Sequence, residues 1–206
     1  MQPGDDLIDV TKLLIRRRRS CRTMVPGKIP HNVMTSILDA GVWAPTGSNH
    51  QNVRFLVLDG HERMKELGRW KAPKSVISKA SAGIVVLTDD SIQVPEDERH
   101  IWDQLWLYNA GAAIQNMLLM ATAAGLGSCW ISLFGQMSGT RLTSGRHWRE
   151  LFPEYEIPGA HAVHGIVLLG PTVDLDAEGF PKGDARHGGR PVARPPFHEF
   201  VLPPKK

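Results

Sequence analysis

Apolar residues recur along this chain with two different periods, and the switches between them mark out its elements. Over residues 5–18, Leu7, Ile8, Leu14 and Ile15 fall roughly on one face of a helix. Ile29, Val33 and Ile37 repeat every four residues, as do Met34, Leu38 and Val42, and predict a second helix. Pro26, Gly27 and Pro30 punctuate its start; Pro45 and Gly47 end it. "VRFLVLDG" at 53–60 reads as a strand stopped by Asp59-Gly60, and "AGIVVLTDD" at 82–90 as a strand apolar enough to be buried on both faces. Between them, a polar, basic helix runs from about His61 to Lys79, interrupted by Pro73.

From Arg99 to Gly125 the pattern predicts a long helix. From Asn109 onward, "NAGAAIQNMLLMATAAGLG" is apolar almost all the way round and so needs cover on every side, from its own domain or from a second copy. "GSCWISLF" at 127–134 reads as a third strand, residues 138–151 as a short helix, and "HAVHGIVLLGPTV" at 161–173 as a fourth strand. The last thirty or so residues turn rich in proline, glycine and arginine, as befits a tail that is either disordered or laid across another subunit. The order of elements predicts an α/β layered domain, without the regular alternation of a doubly wound dinucleotide fold.

Length and composition fit one domain with a sizeable core: 206 residues, 42% hydrophobic and 22% charged. No run of about eighteen apolar residues indicates a membrane span. The opening mixes Asp5, Asp6, Asp9 and Lys12 with apolar residues, unlike the basic-then-apolar order of a secretory signal. Cys21 and Cys129, the two cysteines, are too few for a disulfide framework and read as free, buried filler in a reducing, cytoplasmic setting.

Charge changes the picture. The net charge is only +3, yet five arginines lie within "IRRRRSCR", residues 15–22, so one surface is locally positive and waits for an anion. The sequence holds no G-x-x-x-x-G-K-[ST] and no G-x-S-x-G; "GLGSCW" precedes a strand and is too short for a dinucleotide fingerprint. His161 and His164 sit three apart in a strand, on opposite faces, and His147 with Trp148 reads as a helix surface pair, so neither pair is expected to hold a metal. No Ser, His and Asp trio stands out. Any chemistry is therefore expected from a cofactor.

Three stretches, in order, resemble the FMN-dependent nitroreductase family: "RRSCR" (18–22), "WAPTGSNHQ" (43–51) and "AGAAIQNMLLMATAAGLGSCWI" (110–131). The resemblance covers nearly the whole chain. It implies a single α+β domain over residues 1–206, with a central mixed, mostly antiparallel sheet flanked by helices. It also implies an intertwined homodimer with an extended C-terminal arm from about residue 175. By the same resemblance, Arg18, Arg19, Ser20 and Arg22 bind the FMN phosphate and ribityl chain, for which guanidinium forks and a hydroxyl are suited. Arg16 and Arg17 are left as solvated surface. Pro45, Thr46 and Asn49 belong to a loop reaching the flavin held mainly by the other subunit. Ile131, Ser132 and Leu133 pass backbone N–H groups close to flavin N5 and O4. Arg194, in "RPPFHEFV", reaches the phosphate, with Arg190 beside it as a further candidate, and Lys74 is the nearest match for a basic group at the pyrimidine end.

The activity so implied is hydride transfer from NADH or NADPH to FMN, then reduction of a nitroaromatic, quinone or related small-molecule acceptor, by a ping-pong mechanism. No protein side chain is expected to carry the chemistry, and neither a membrane nor a nucleic acid is the expected partner. The family pattern continues Q-P-W where this chain has Gln51-Asn52-Val53, which keeps a specialised relative (dehalogenase, flavin-destroying or heterocycle-oxidising) in view. A nucleic-acid binder gripping phosphates with the arginine run is the reading from another class, though no helix-turn-helix, RRM or zinc module accompanies it.

Overall fold

The computed structural model describes residues 4–70, 74–132, 153–157 and 161–182. Helices α1 (Asp5–Arg17) and α2 (His31–Val42) open the chain, and a 3-10 turn (Gly47–Asn49) leads into β1 (Val53–Asp59). Then come α3 (His61–Trp70), α4 (Lys74–Ile77), β2 (Ala82–Asp89), a 3-10 turn (Glu96–Glu98), α5 (Arg99–Ala123), β3 (Gly127–Ser132) and β4 (His161–Gly170). Pro73, expected to interrupt a helix from His61 to Lys79, lies outside the described residues between α3 and α4. The helix expected at 138–151, the His147–Trp148 pair, Leu133, Arg190 and Arg194 lie outside the described residues, as does the side chain of Lys74.

The four described strands form one sheet in the order β1-β2-β4-β3, and every neighbouring pair is antiparallel. β4 inserts between β2 and β3, so β1 and β3 are the two edges. Strand side chains alternate across the sheet. Val85, Leu87, Ile166 and Leu168 join one buried cluster with Met64 and Leu67 of α3. Ile84, Val86, Val167 and Leu169 join another with Ile37 of α2 and Ile114 and Met117 of α5. Helices cover both faces, which is why the β2 run is apolar at successive positions.

Helix α5 is covered by its own chain on one side, where the sequence asks for cover on every side from this chain or a second copy. Within one chain Trp106, Asn109, Ala110, Ala113, Ile114, Met117, Leu118 and Ala121 are buried, while Tyr108 on the other side is 69% exposed and Met120 is also exposed. Helix α1 buries nothing: Leu7, Ile8, Val10, Leu13 and Ile15 are all exposed. An apolar pattern shows that a helix is to be covered, not which molecule covers it. The start of the C-terminal segment differs too. Residues 174–182 turn back as a hairpin, with Leu175 bridged to Pro181 and the Lys182 N–H donated to Asp174 O at 2.8 Å. A left-handed Gly179 (φ 83°) and the Asp176 side chain, which accepts the N–H groups of Glu178 and Phe180, make the turn.

Gly127, first in β3, marks a close approach. A Cβ there would stand 3.0 Å from Cys21 Sγ, 3.1 Å from Met24 Cγ and 3.2 Å from the Gly170 carbonyl oxygen. Alanine gains roughly 0.5–1 kcal/mol over glycine in a strand, but overpacking a filled core costs about 1–3 kcal/mol. Gly127→Ala is therefore expected to lower unfolding stability by about 1–2 kcal/mol, read by urea denaturation. Adding Cys21→Ala should return part of the loss; equal stability of Gly127→Ala and the parent would show that the contact yields freely.

Candidate functional site

The arginine run straddles the end of α1. The Arg18 N–H still donates to Leu14 O at 2.9 Å, but its ψ of 124° takes the chain out of the helix. The segment then runs along the outer edge of β3: the Cys21 N–H donates to Ser128 O at 2.8 Å, Met24 bridges to Thr172, and the Val25 N–H donates to Pro171 O at 2.9 Å. Cys21 and Met24 point into the core, with Cys21 at 0% exposure and outside any disulfide, which bears out its reading as buried filler; Cys129 is likewise buried and in no disulfide. Arg18, Ser20 and Arg22 are half-buried around this anchor. These anchoring contacts lie near the start of β3 and just past the end of β4.

Arg17 and Arg19 are both engaged within the chain. Arg19 folds its guanidinium onto the carbonyls of Arg16 and Arg18, the latter at 2.9 Å, where the end of α1 has carbonyls without helical partners. Arg17, expected as solvated surface, is instead bonded to Asp176, pairs with Glu178 at 3.1 Å and lies 5.6 Å from the Phe180 ring centre. Its partners follow it by some 160 positions (159 for Asp176), too far for local charge patterning to show the pairing. Arg16 is exposed.

The second candidate element, "PTGSN", is a tightly held turn. Pro45 follows the end of α2. The Thr46 carbonyl accepts the Asn49 N–H at 3.0 Å, and the Thr46 hydroxyl accepts the Gln51 N–H at 3.0 Å, which leaves the hydroxyl's own proton to donate. Ser48, Asn49 and Gln51 have φ of 48°, 53° and 50°. Left-handed backbone at non-glycine residues costs on the order of 1–3 kcal/mol each and persists only where surroundings over-determine it. Here the surroundings are two asparagines. Asn109 of α5, 4% exposed, accepts the Gly47 N–H at 2.9 Å and donates to Asn52 Oδ1 at 3.0 Å, while the Asn52 carbonyl accepts the Asp89 N–H at 2.8 Å. Asn52 is fully buried. The departure from Q-P-W thus has a structural reason: the position holds half of a buried amide pair.

The pairing registers put the start of β1, the start of β4 and the end of β3 at one end of the sheet: β1 begins opposite Thr88 near the end of β2, β4 begins opposite Asp89, and β3 ends at Ser132 opposite Gly165. The "PTGSN" turn feeds β1 and the arginine segment is anchored beside β3, on opposite edges. Three strand spacings, roughly 14 Å, separate these edge strands. One chain therefore holds Pro45, Thr46 and Asn49 at one edge and the arginine segment at the other.

A cleft of about 440 Å³ opens at this same end, between β2, β4 and the first half of α5, and pattern reading missed it. The β2–β4 register skips one residue between Val86 and Leu87, so His164 is the extra residue of a bulge. Its Nε2 lies 2.6 Å from Thr88 Oγ1, and that hydroxyl bonds Asp90 Oδ1 at 3.1 Å. Arg99 stacks 4.7 Å from the Trp106 ring centre and pairs with Asp103 at 3.1 Å. Burial pushes the His164 pKa down to about 4 and raises that of Asp90 against the lowering hydrogen bond from Thr88. Among the described residues no group of three or more His, Cys, Asp or Glu is placed to hold a metal ion.

The Nitroreductase family model matches residues 15–105 and 71–170, well over half of the sequence, and the chain belongs to the nitroreductase family. It is similar, at 31% identity over 121 residues, to a protein of Archaeoglobus fulgidus provisionally named NADH dehydrogenase/NAD(P)H nitroreductase, over 59% of this chain and 66% of that one. A Methanothermobacter thermautotrophicus protein with the same provisional name is 26% identical over 121 residues, 58% of this chain and 59% of that one. The matches thus span less than two thirds of these relatives' length. Among solved structures, a provisionally named nitroreductase from Desulfovibrio desulfuricans in complex with FMN superposes with a TM-score of 0.67 at 25% identity, over 96% of this chain and 97% of that one. An FMN-dependent nitroreductase from Clostridium difficile R20291 shares the fold, with a TM-score of 0.64, 22% identity, and 79% and 88% coverage.

Two predictions follow from the geometry. Asn109→Ala strips the Gly47 N–H and Asn52 Oδ1 of their partner and is expected to cost about 2–3 kcal/mol in urea denaturation; a loss within about 0.5 kcal/mol would show that the pair does not pin the turn. His164 is neutral in the fold, and the unfolded chain takes up its proton first. Stability is therefore complete above the ordinary value of 6.5 and falls as pH drops from there toward about 4. The His164-dependent part is about 3 kcal/mol, and His164→Gln should flatten the stability–pH curve over that window.

Proposed function

We propose that this nitroreductase-family chain works as a homodimeric, FMN-dependent oxidoreductase. It takes a hydride from NADH or NADPH and reduces an electron-poor planar acceptor, a nitroaromatic or a quinone, in ping-pong order. One observation carries the reading: the arginine segment and the "PTGSN" turn are held at opposite edges of the same sheet. Two copies, each offering one edge to the other, supply both halves of a site. The open apolar faces of α1 and α5, with Trp43 79% exposed after α2, support such a pairing.

The residues suit FMN by their donor chemistry. Arg18, Ser20 and Arg22 share a segment anchored at Cys21, and a doubly charged phosphate is met by guanidinium and hydroxyl donors. Arg19 joins them by leaving the α1 carbonyls, and Arg194 from the C-terminal segment is the fifth contact. Across the subunit boundary Thr46 offers its remaining O–H proton, Asn49 its amide, and Pro45 shapes the approach. The strand end at Ile131, Ser132 and Leu133 supplies backbone N–H donors beside the ring. When bound, FMN supplies a ring that accepts hydride at N5 and passes electrons on. The polypeptide orients that ring and keeps its edge hydrogen-bonded. The Asn52 side-chain oxygen accepts from Asn109, so the altered Q-P-W element argues for local packing, not for a specialised reaction.

The purified protein should be yellow and release FMN on denaturation, and Arg22→Ala should weaken FMN binding by about 1.5–3 kcal/mol, roughly 10- to 150-fold. A colourless parent that fails to take up added FMN would sink the reading; an Arg22→Ala variant with undiminished affinity would move the phosphate away from this segment.

A further inference from the structure

The geometry points to Arg17 and Asp176 as a positioning pair for the phosphate-binding segment. The hairpin at 174–182 grips the last turn of α1 and sets the direction in which Arg18–Arg22 leave it. The inference rests on the FMN reading above and concerns how the same site is built.

Arg17 is the last residue of α1 and directly precedes the segment assigned to phosphate. Its guanidinium is held on three sides. Asp176 Oδ2 bonds Nη1, Glu178 pairs with Nη2 at 3.1 Å, and the Phe180 ring lies beside it with its centre 5.6 Å away. The grip is rigid because the hairpin closes on itself first. Asp176 Oδ1 accepts the N–H groups of Glu178 at 3.1 Å and Phe180 at 2.8 Å, and the Asp176 N–H donates to Phe180 O at 2.9 Å. Oδ2 is thereby oriented toward Arg17. The hairpin is tied in turn to the sheet, since the Asp174 N–H donates to Thr172 Oγ1 at 3.2 Å and Thr172 bridges to Met24.

On the other side, Cys21 is fixed to Ser128. Residues 18–20 are therefore strung between two clamps, one at Arg17 and one at Cys21, and the directions of their side chains are set by where those clamps stand. Charge requires the pairing as well. Asp176 and Glu178 next to a phosphate site would repel the ligand, and Arg17 offsets one of their two charges. Arg17 is a positioning residue that never needs to touch the phosphate.

Equilibrium dialysis of the full chain against FMN and, separately, riboflavin tests this, because riboflavin has the ring and ribityl chain without the phosphate. Asp176→Asn is expected to weaken FMN about tenfold, the scale of one misplaced charge-assisted contact, and riboflavin by less than about twofold. Arg17→Ala should be worse than Asp176→Asn, since it also exposes two carboxylates to the phosphate. Thermal melts show whether each variant folds; if Asp176→Asn does not, the Glu178→Gln variant, expected to lose about threefold for FMN alone, decides. Equal losses for FMN and riboflavin would make the pair merely structural, and unchanged FMN affinity in Asp176→Asn would remove its role; either overturns the inference. A parent chain that binds no FMN refutes the functional reading instead.

Discussion

Covering both faces of β2 and β4 is the constraint on which the rest of the molecule depends. Ile84 and Val86 need α2 and α5 on one side; Val85 and Leu87 need α3 on the other. With both faces occupied by helices, polar chemistry is confined to the ends and edges of the sheet. The bulge at His164 and the left-handed turn at Ser48–Gln51 lie at one end, and the arginine segment is anchored at the edge formed by β3. Edge strands carry unpaired backbone groups, and the Ser128 carbonyl of β3 accepts the Cys21 N–H of the stretch that follows the arginine run. Tethering that stretch to the sheet gives the cationic segment a fixed base.

Most of this frame was legible in the residues. Strand and helix limits at Pro30, Pro45 and Asp59-Gly60 follow local backbone chemistry, which a single sequence carries in full. The uninterrupted apolar run in β2 announced a doubly covered strand. Three things were not legible, for related reasons. The partner of Arg17 lies in a hairpin some 160 residues away, and ion pairs at such separation leave no periodic trace. Asn52 and Asn109 are polar residues in apolar surroundings, and only their contact explains either one. His164 seemed fixed to one face by strict alternation, but one extra residue in β4 breaks the count.

The candidate site residues were legible as a set but not as a geometry. Motif resemblance grouped Arg18, Arg19, Ser20 and Arg22 with Pro45, Thr46 and Asn49. The sheet order separates the groups to opposite edges, and no spacing in the sequence could have revealed that. Arg19 illustrates a second gap. It belongs to the motif, yet here its guanidinium satisfies the carbonyl end of α1. The carbonyl end of a helix carries a partial negative charge comparable to half an electron. A doubly charged phosphate competes for the same guanidinium with several times that charge, so the cap works as a parking place that the ligand can empty.

Helix α5 joins the two halves of the proposed site mechanically. Asn109 points inward and holds the "PTGSN" turn, while its neighbour Tyr108 points outward from an open apolar face. Successive residues on a helix differ by about 100° in direction but only about 1.5 Å along the axis. Whatever packs against Tyr108 therefore sits on the same turn of the same rigid element that positions Gly47. In a dimer covering this face, the placement of the partner and the placement of the strained turn are set together. The buried amide pair makes the link stiff: the turn cannot shift relative to α5 without leaving Asn52 Oδ1 and the Gly47 N–H unpaired, at a cost of about 1–3 kcal/mol for each group. Subunit association and alignment of Thr46 and Asn49 are then one event, and an isolated chain would hold the turn correctly shaped but with no site to face.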